Sequence, residues 1–367
     1  MNSKIPYFNL KKQIESLKEE IFEAFNGVIV NGEFSSGKYI ENFESLFSSY
    51  CKIDYCIGVS SGTSALQLAL LASGIKPGDE VIVPGNTFFA TPAAVSHCGG
   101  IPVFADCDKF TWNIDSEKAI QCITPKTKAI IGVHLYGETY DYQQLKKIAN
   151  DNNLVLIEDA SQAHGAKFKG IFSGNLSDIG CFSFFPSKNM GAFGEAGAVV
   201  TNNADWYEKV KMLRNYGMKE KFNHEEIGFN MKMDSLQAAV LSIKLKHLND
   251  FNVKRKQIAS KYLNNVKNPL IVFQHKPDWA DHVYHLLVIT TTDKKRLVNY
   301  LNNNNIFPAE HYPIPCHLQK AYSFLKYKKG DLPNSEYLAS NCLSLPLYPE
   351  MEDETTDYII EILNKYD

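Results

Sequence analysis

The sequence predicts an α/β fold: a large layered domain built on a mainly parallel sheet, followed by a smaller α+β domain. Three observations carry this. Short β-rich runs alternate with helical patterns over the first part of the chain, which is how βαβ units read. Most of those runs are apolar on both faces, as in a parallel sheet covered on each side. After about Asp234 the alternation stops and one long helical pattern takes over.

The elements follow in order. Cys56–Ser60, Glu80–Pro84, Ile101–Phe104, Ala129–Val133, Leu154–Glu158, Cys181–Phe185 and Ala198–Thr201 read as strands. Thr63–Leu71 and Asp141–Asp151 read as helices between them. The stretch beginning "DSLQAAVLSIKLKHLNDF" keeps helical periodicity over a long span, like a connecting helix. Tyr284–Thr291 then reads as a strand, Asp293–Asn303 as a helix and Glu352–Lys365 as a closing helix. The "NNNN" tract at 302–305 reads as a helix end or loop. The chain therefore divides into residues 1–245, an N-terminal arm with the large domain, and residues 246–367, the small domain. No internal repeat is visible.

Composition narrows the function. The 367 residues are 44% hydrophobic and 22% charged, ordinary for a globular chain with a large core. A net charge of −3 gives no bulk attraction to nucleic acid or to an anionic membrane. No apolar run approaches the roughly 20 residues of a membrane span. The polar start "MNSKIPYFNLKKQIESLKEE" is not a signal peptide. The eight cysteines form no CxxC pair and no metal spacing. They read as reduced thiols in a cytoplasmic protein.

The stretch "SFFPSKNMGAFGEAGAVV" places Lys188 among Phe184, Phe185, Pro186, Met190 and Phe193. Apolar surroundings disfavour an ammonium and make the amine a usable base or nucleophile. Glycines 191, 194 and 197 would let the backbone approach a flat ligand. Taken alone, Lys188 reads as a solvated loop lysine, since most lysines are surface residues. Two other stretches bear on it. "LVLIEDASQAHG" ends a strand in Glu158-Asp159, where a carboxylate can face a pyridinium nitrogen; Asp159 also reads as a helix cap. "SSGTSALQLALLASG" puts Gly62 and hydroxyl residues at a helix start, a phosphate cradle or a plain cap. It lacks the GxxxxGK[ST] pattern of an ATP loop. Phosphate cradle, ring-nitrogen acid and imine lysine come in the order of a pyridoxal phosphate (PLP) enzyme.

Over nearly its whole length the chain resembles the sugar aminotransferases of the DegT-type branch of fold-type I PLP enzymes. The likeness rests on "IPYFNLKKQ", "FSSGKYIENFE", "SSGTSALQLAL", "DEVIVPGNTFFAT", "IEDASQAHGA", "CFSFFPSKNMGAFGEAGAVVT", "LRNYG", "IGFNMKMDSLQAA" and "EHYPIPCHLQ". It implies a mainly parallel seven-stranded sheet in an αβα sandwich. It also implies roles. Lys188 would carry the cofactor as an imine and shuttle protons. Asp159 would pair with the pyridine nitrogen and Gln162 would bond the phenolic oxygen. Phe88 would stack on the ring. Gly62, Thr63 and Ser183 would hold the phosphate. Asn230 would reach the phosphate of a neighbouring subunit, which makes a homodimer with shared sites. Each has a plainer reading: Phe88 as core, Ser183 as a satisfied buried hydroxyl, Gln162 as a cap, His164 as a structural contact. Where the family commonly has Arg, this chain has Lys232, which lacks the guanidinium fork. Family members that dehydrate sugars have His at the lysine position, which this chain does not.

The resemblance also implies substrates: L-glutamate as amino donor and a nucleotide-linked keto-sugar as acceptor. "SKNMGAFGEAGA" followed by "LRNYG" looks like the branch that aminates C-3 of dTDP-3-keto-6-deoxyhexoses. Members acting at C-4 more often have His where this chain has Phe185, and Thr where it has Gly191 and Ala192. Tyr216, His311, Tyr312 and His317 are expected to line the sugar site. Amination at C-4 of a dTDP- or UDP-sugar is the alternative reaction. A non-catalytic PLP-binding regulatory protein is the alternative of another class.

Overall fold

The computed structural model describes residues 4–367. Seven strands form the large sheet: β1 (Tyr55–Val59), β2 (Glu80–Pro84), β3 (Ile101–Ala105), β4 (Thr127–Val133), β5 (Val155–Asp159), β6 (Ile179–Ser183) and β7 (Gly197–Thr201). Their order across the sheet is β1-β7-β6-β5-β4-β2-β3. All neighbours are parallel except β7, which runs antiparallel to both β1 and β6. That one reversal matters for the site. A parallel pair needs a long crossover, whereas an antiparallel pair can be joined directly. Residues 184–196 therefore link β6 to its own neighbour, and Lys188 sits on that link.

Helices cover both faces of the sheet. α1 (Lys11–Asn31), α2 (Lys38–Cys51) and α3 (Gly62–Ala72) come first in the chain. α3 is largely apolar, and eight of its residues from Gly62 to Leu70 are buried, as befits a helix wedged between the sheet and other helices. One apolar cluster holds α3 against Val81, Val83, Ile131 and Ile157. On the other face, α2 places Phe43 and Phe47 against Phe182 and Phe184.

The long α4 (Ser235–Asn265) packs along α1 and α2 with its first half. Its second half enters a separate core with Ile258, Tyr262, Leu287, Ile289, Leu343 and Leu363. That core belongs to a three-stranded sheet containing β8 (Leu287–Thr290) and β9 (Cys342–Leu345), which pair antiparallel. It is covered by α5 (Lys294–Asn303) and α6 (Asp353–Asn364). Position 245, where the sequence pattern divides the chain, lies inside α4. Ile5 and Pro6 pair parallel with Ile306 and Phe307, so this short N-terminal segment joins the C-terminal layer. Burial of Ile5 with that core is what recruits it. No helix among the described residues is long and apolar enough to cross a membrane.

Candidate active site

Strand ends bring the site together. The register aligns Val59, Gly197 and Ser183 across β1, β7 and β6. The turn after β1, Ser61-Gly62, therefore lies against Ser183. A Cβ on Gly62 would come within 2.5 Å of Ser183 Cβ, so only glycine fits there. Ser61 caps α3, its Oγ accepting the Ser64 N–H at 3.1 Å. The N–H groups of Gly62 and Thr63 precede any intrahelical partner and open the positive end of the helix dipole.

Alternation along β5 sends its last two acids to opposite faces. Glu158 is fully buried away from the cavity. It accepts from the N–H groups of Gly174, Leu176 and Ser177, and its Oε2 lies 2.7 Å from His134 Nε2. It is an anchor for the loop before β6. Asp159 faces the cavity. Its Oδ2 accepts from Thr91 Oγ1 at 2.8 Å, and its Oδ1 from the Ser161 N–H at 3.2 Å.

The link carrying Lys188 is folded on itself. The Lys188 N–H donates to the Phe185 carbonyl at 2.8 Å and the Ala192 N–H to the Phe184 carbonyl at 2.7 Å. A Cβ on Gly191 would stand 2.3 Å from the Pro186 carbonyl oxygen. Lys188 is half-buried. Burial pushes its amine down to about 8, against the opposing pull of Asp159.

These groups share one cavity of about 380 Å³. Gly62, Thr63, Phe88, Asp159, Gln162, Ser183, Lys188, His311 and Tyr312 all line it. Gln162 Oε1 accepts from the Tyr136 N–H at 2.7 Å and its Nε2 donates to Tyr312 Oη at 3.1 Å. Phe88 is 53% exposed with its ring centroid 5.5 Å from that of Tyr312, so it is not ordinary core. His311 Nδ1 lies 2.8 Å from Ser344 Oγ, and burial beside Lys188 lowers its imidazole to about 4.

Three expected residues lie elsewhere. His317 is buried with Nε2 3.1 Å from Glu336 and its ring beside Phe104 and Tyr327. The single turn Cys316–Leu318 after Pro315 carries it inward, away from the cavity. Asn230 bridges to Asn215, and Tyr216 lies under Lys232 Nζ, 5.9 Å from the ring centroid. Neither lines the cavity of its own chain. The cavity also holds residues the sequence did not single out: Tyr7, Thr87, Ser187, Glu195 and His285. Tyr7 lies in the "IPYFNLKKQ" stretch and was legible; His285, in a stretch read only as a strand, was not.

A free helix N-terminus, a carboxylate held by two donors, a desolvated lysine and an exposed ring edge fit a flat, phosphorylated pyridine cofactor. Phosphate suits α3, the ring nitrogen suits Asp159 and the aldehyde suits Lys188. Residues 15–364 match the model of one protein family, described as the DegT/DnrJ/EryC1/StrS aminotransferase family. The chain belongs to that family.

This aminotransferase depends on PLP, as its family does. It is 43% identical over 362 residues to the dTDP-3-amino-3,6-dideoxy-alpha-D-galactopyranose transaminase of Aneurinibacillus thermoaerophilus, with 99% of each chain covered. Its fold matches the crystal structure of S. venezuelae DesV in complex with ketimine intermediate, at TM-score 0.98 and 39% identity, covering 99% of this chain and 98% of that one. It also matches NtdA from Bacillus subtilis with bound cofactor PMP, at TM-score 0.92 and 36% identity, covering 99% of this chain and 85% of that one. The aminotransferase is thus a fold-type I enzyme of sugar transamination.

Proposed function

We propose that the enzyme transfers an amino group from L-glutamate to C-3 of a dTDP-3-keto-6-deoxyhexose, giving a dTDP-3-amino-3,6-dideoxyhexose. The observation that carries the reaction is the shared cavity of Lys188, Asp159 and the α3 N-terminus. The likeness to the Aneurinibacillus transaminase supports the dTDP sugar and the carbon aminated.

PLP, when bound, supplies an aldehyde that takes up amines and a ring that withdraws electrons. The chain does the rest. Gly62 and Thr63 offer N–H groups to the phosphate, with Ser183 beside them. Asp159, held by Thr91 and Ser161, would pair with the ring nitrogen and favour its protonated form. Lys188 gives and takes a proton at Nζ, which its lowered pKa permits near neutrality. Gln162, which donates to Tyr312, would hold the ring's phenolic oxygen, and Phe88, beside Tyr312, would cover one ring face. Glutamate and sugar use the same cavity in turn, so the kinetics are ping-pong.

The working unit is a homodimer with shared sites. Asn230 and Tyr216 stand outside their own cavity, and Phe22, Ile29, Val30, Phe34, Phe222 and Ile227 are exposed apolar groups that a second copy would cover. Eight free thiols support the cytoplasm as its place of work.

The test is incubation with L-glutamate and separate dTDP- and UDP-linked keto-sugars, mapping the new amine by NMR. Amine at C-3 of the dTDP sugar is the expected result; amine at C-4, or turnover of a UDP sugar alone, overturns the substrate. The UDP arm is included because a relative from Acidithiobacillus ferrooxidans, 36% identical over 364 residues, is named UDP-N-acetyl-3-dehydro-alpha-D-glucosamine 3-aminotransferase. A second reading, regulation, is favoured by one name. A "Pleiotropic regulatory protein" of Geobacillus stearothermophilus is 38% identical over 365 residues. Failure of glutamate to convert the bound cofactor would favour that reading.

A further inference from the structure

Asn189, next to Lys188, is 3% exposed and bonded at every polar position. Its Nδ2 donates to the Val283 carbonyl at 3.0 Å and to Asn252 Oδ1 at 2.9 Å. Asn252, on α4, donates its own Nδ2 to the His164 carbonyl at 2.8 Å. Backbone carbonyls only accept, so the main chain fixes the orientation of both amides. Asn189 Oδ1 is therefore the atom turned to His285 Nδ1, 3.1 Å away. An amide oxygen cannot donate, so Nδ1 must carry a proton. Burial, with Lys188, Arg255, His311 and His164 around it, holds the imidazole well below its ordinary range. The ring is thus neutral in one tautomer, with its lone pair on Nε2, and it lines the Lys188 cavity.

The far end of this chain of bonds is itself held. Arg255, also on α4, donates from one nitrogen to the carbonyls of Tyr284 at 3.2 Å and His285 at 3.4 Å. The Val283 N–H donates to the Gly137 carbonyl at 3.0 Å. Segment 283–285 is consequently a fixed post, and Asn189 is tied to it twice. The link between β6 and β7 has internal backbone bonds that fix its shape, and on the far side of Gly191 its Phe193 N–H donates to Gln237 Oε1 of α4 at 2.9 Å; beside Lys188 itself, the ties to α4 and to segment 283–285 run through Asn189.

We propose that Asn189 and His285 are positioning residues for Lys188: the pair ties the lysine's loop to α4 and to segment 283–285, so that groups outside the loop hold the amine in its cavity. This rests on the reading of Lys188 as the reactive lysine. The groups facing that amine are Asp159 at the end of β5, His164 in the turn after β5, His285 before β8 and His311 from the C-terminal layer. Loosening the tie lets water reach the amine and raises its pKa toward that of a free lysine.

Two substitutions at position 285 separate positioning from bulk. The amide nitrogen of Asn overlays His Nδ1, so His285→Asn keeps the donor to Asn189. The amide of Gln overlays Nε2, so His285→Gln loses it. The measurement is the titration of the Lys188 amine in cofactor-free protein, by NMR of ¹³C-methylated lysines, with Lys188→Ala assigning the signal. We expect Asn189→Ala and His285→Gln to raise the midpoint by about one pH unit, and His285→Asn to stay near the wild type. In the cofactor-loaded enzyme, kcat falls about tenfold in the first two with KM for the sugar nearly unchanged. Equal midpoints in His285→Asn and His285→Gln, or an unmoved midpoint in Asn189→Ala, overturn the proposal. A wild-type protein that binds PLP without a lysine-linked absorbance counts against Lys188 as the cofactor's lysine, and the amine titration still decides the pair.

Discussion

Thr91 Oγ1 lies 2.8 Å from Asp159 Oδ2, and both side chains are buried, Thr91 completely. The hydroxyl has one proton, given to Oδ2, while the Ser161 N–H holds Oδ1, so the two donors fix the plane of the carboxylate. Thr91→Val keeps the shape and removes the donor. The expected result is roughly tenfold weaker PLP binding, from the net worth of one hydrogen bond to a charged group. A spectroscopic PLP titration reads it; unchanged affinity would show that Ser161 alone orients Asp159.

Lys188→Ala should leave the fold intact, because the loop's backbone bonds do not involve the side chain. Turnover should fall by about 10⁴-fold or more, the upper range for loss of a general acid–base group. The visible absorbance of the lysine-linked cofactor should vanish with it. Circular dichroism and a glutamate-dependent spectral assay check the two halves.

Gly62→Ala should lower stability by about 1–3 kcal/mol and block phosphate binding, because the new methyl meets Ser183 Cβ. Adding Ser183→Gly should recover most of the stability. Urea unfolding of the single and double variants measures the coupling. Additive losses would mean that the collision is relieved elsewhere.

Acid should destabilise the protein through buried imidazoles. His164 and His282 are lowered to about 3 and His311 to about 4, in each case chiefly by burial, with nearby lysines adding to it. Below about pH 6.5 the unfolded chain binds protons that the folded chain refuses, so stability is present above that pH and lost as it falls toward the folded values. Each histidine contributes about 1.4 kcal/mol per pH unit in that window. His164 lies against the rings of Phe182 and Phe184, with burial the chief cause of its lowered pKa and Lys188 adding to it. His164→Leu should therefore reduce the slope of stability against pH by about one proton. An unchanged slope would mean that His164 is protonated in the folded state.

Much of the site was legible because its residues are consecutive with strand ends. Gly62, Asp159 and Lys188 each follow a run of apolar residues that reads as a strand, and a parallel sheet gathers such ends on one side. The antiparallel course of β7 was not legible, because a buried run reads alike in either direction. His317 looked equivalent to His311 in the same short stretch, yet one backbone turn separates a cavity residue from a core residue. His285 carried no local signal at all. Its partner Asn189 lies far from it in sequence and meets it only in the fold, as does Asn252, which bonds Asn189 in turn.

α4 gives the molecule a mechanical unity. The same helix presents Leu241 and Leu245 to the core under the large sheet and Ile258 and Tyr262 to the core of the C-terminal layer. Neither core can melt without exposing half of that helix and fraying the rest, since helix formation is cooperative along its length. The two layers should therefore give a single calorimetric transition, and a chain split after Leu245 should yield two insoluble halves. An enzyme so built should stand or fall as one piece, with a single helix as its spine.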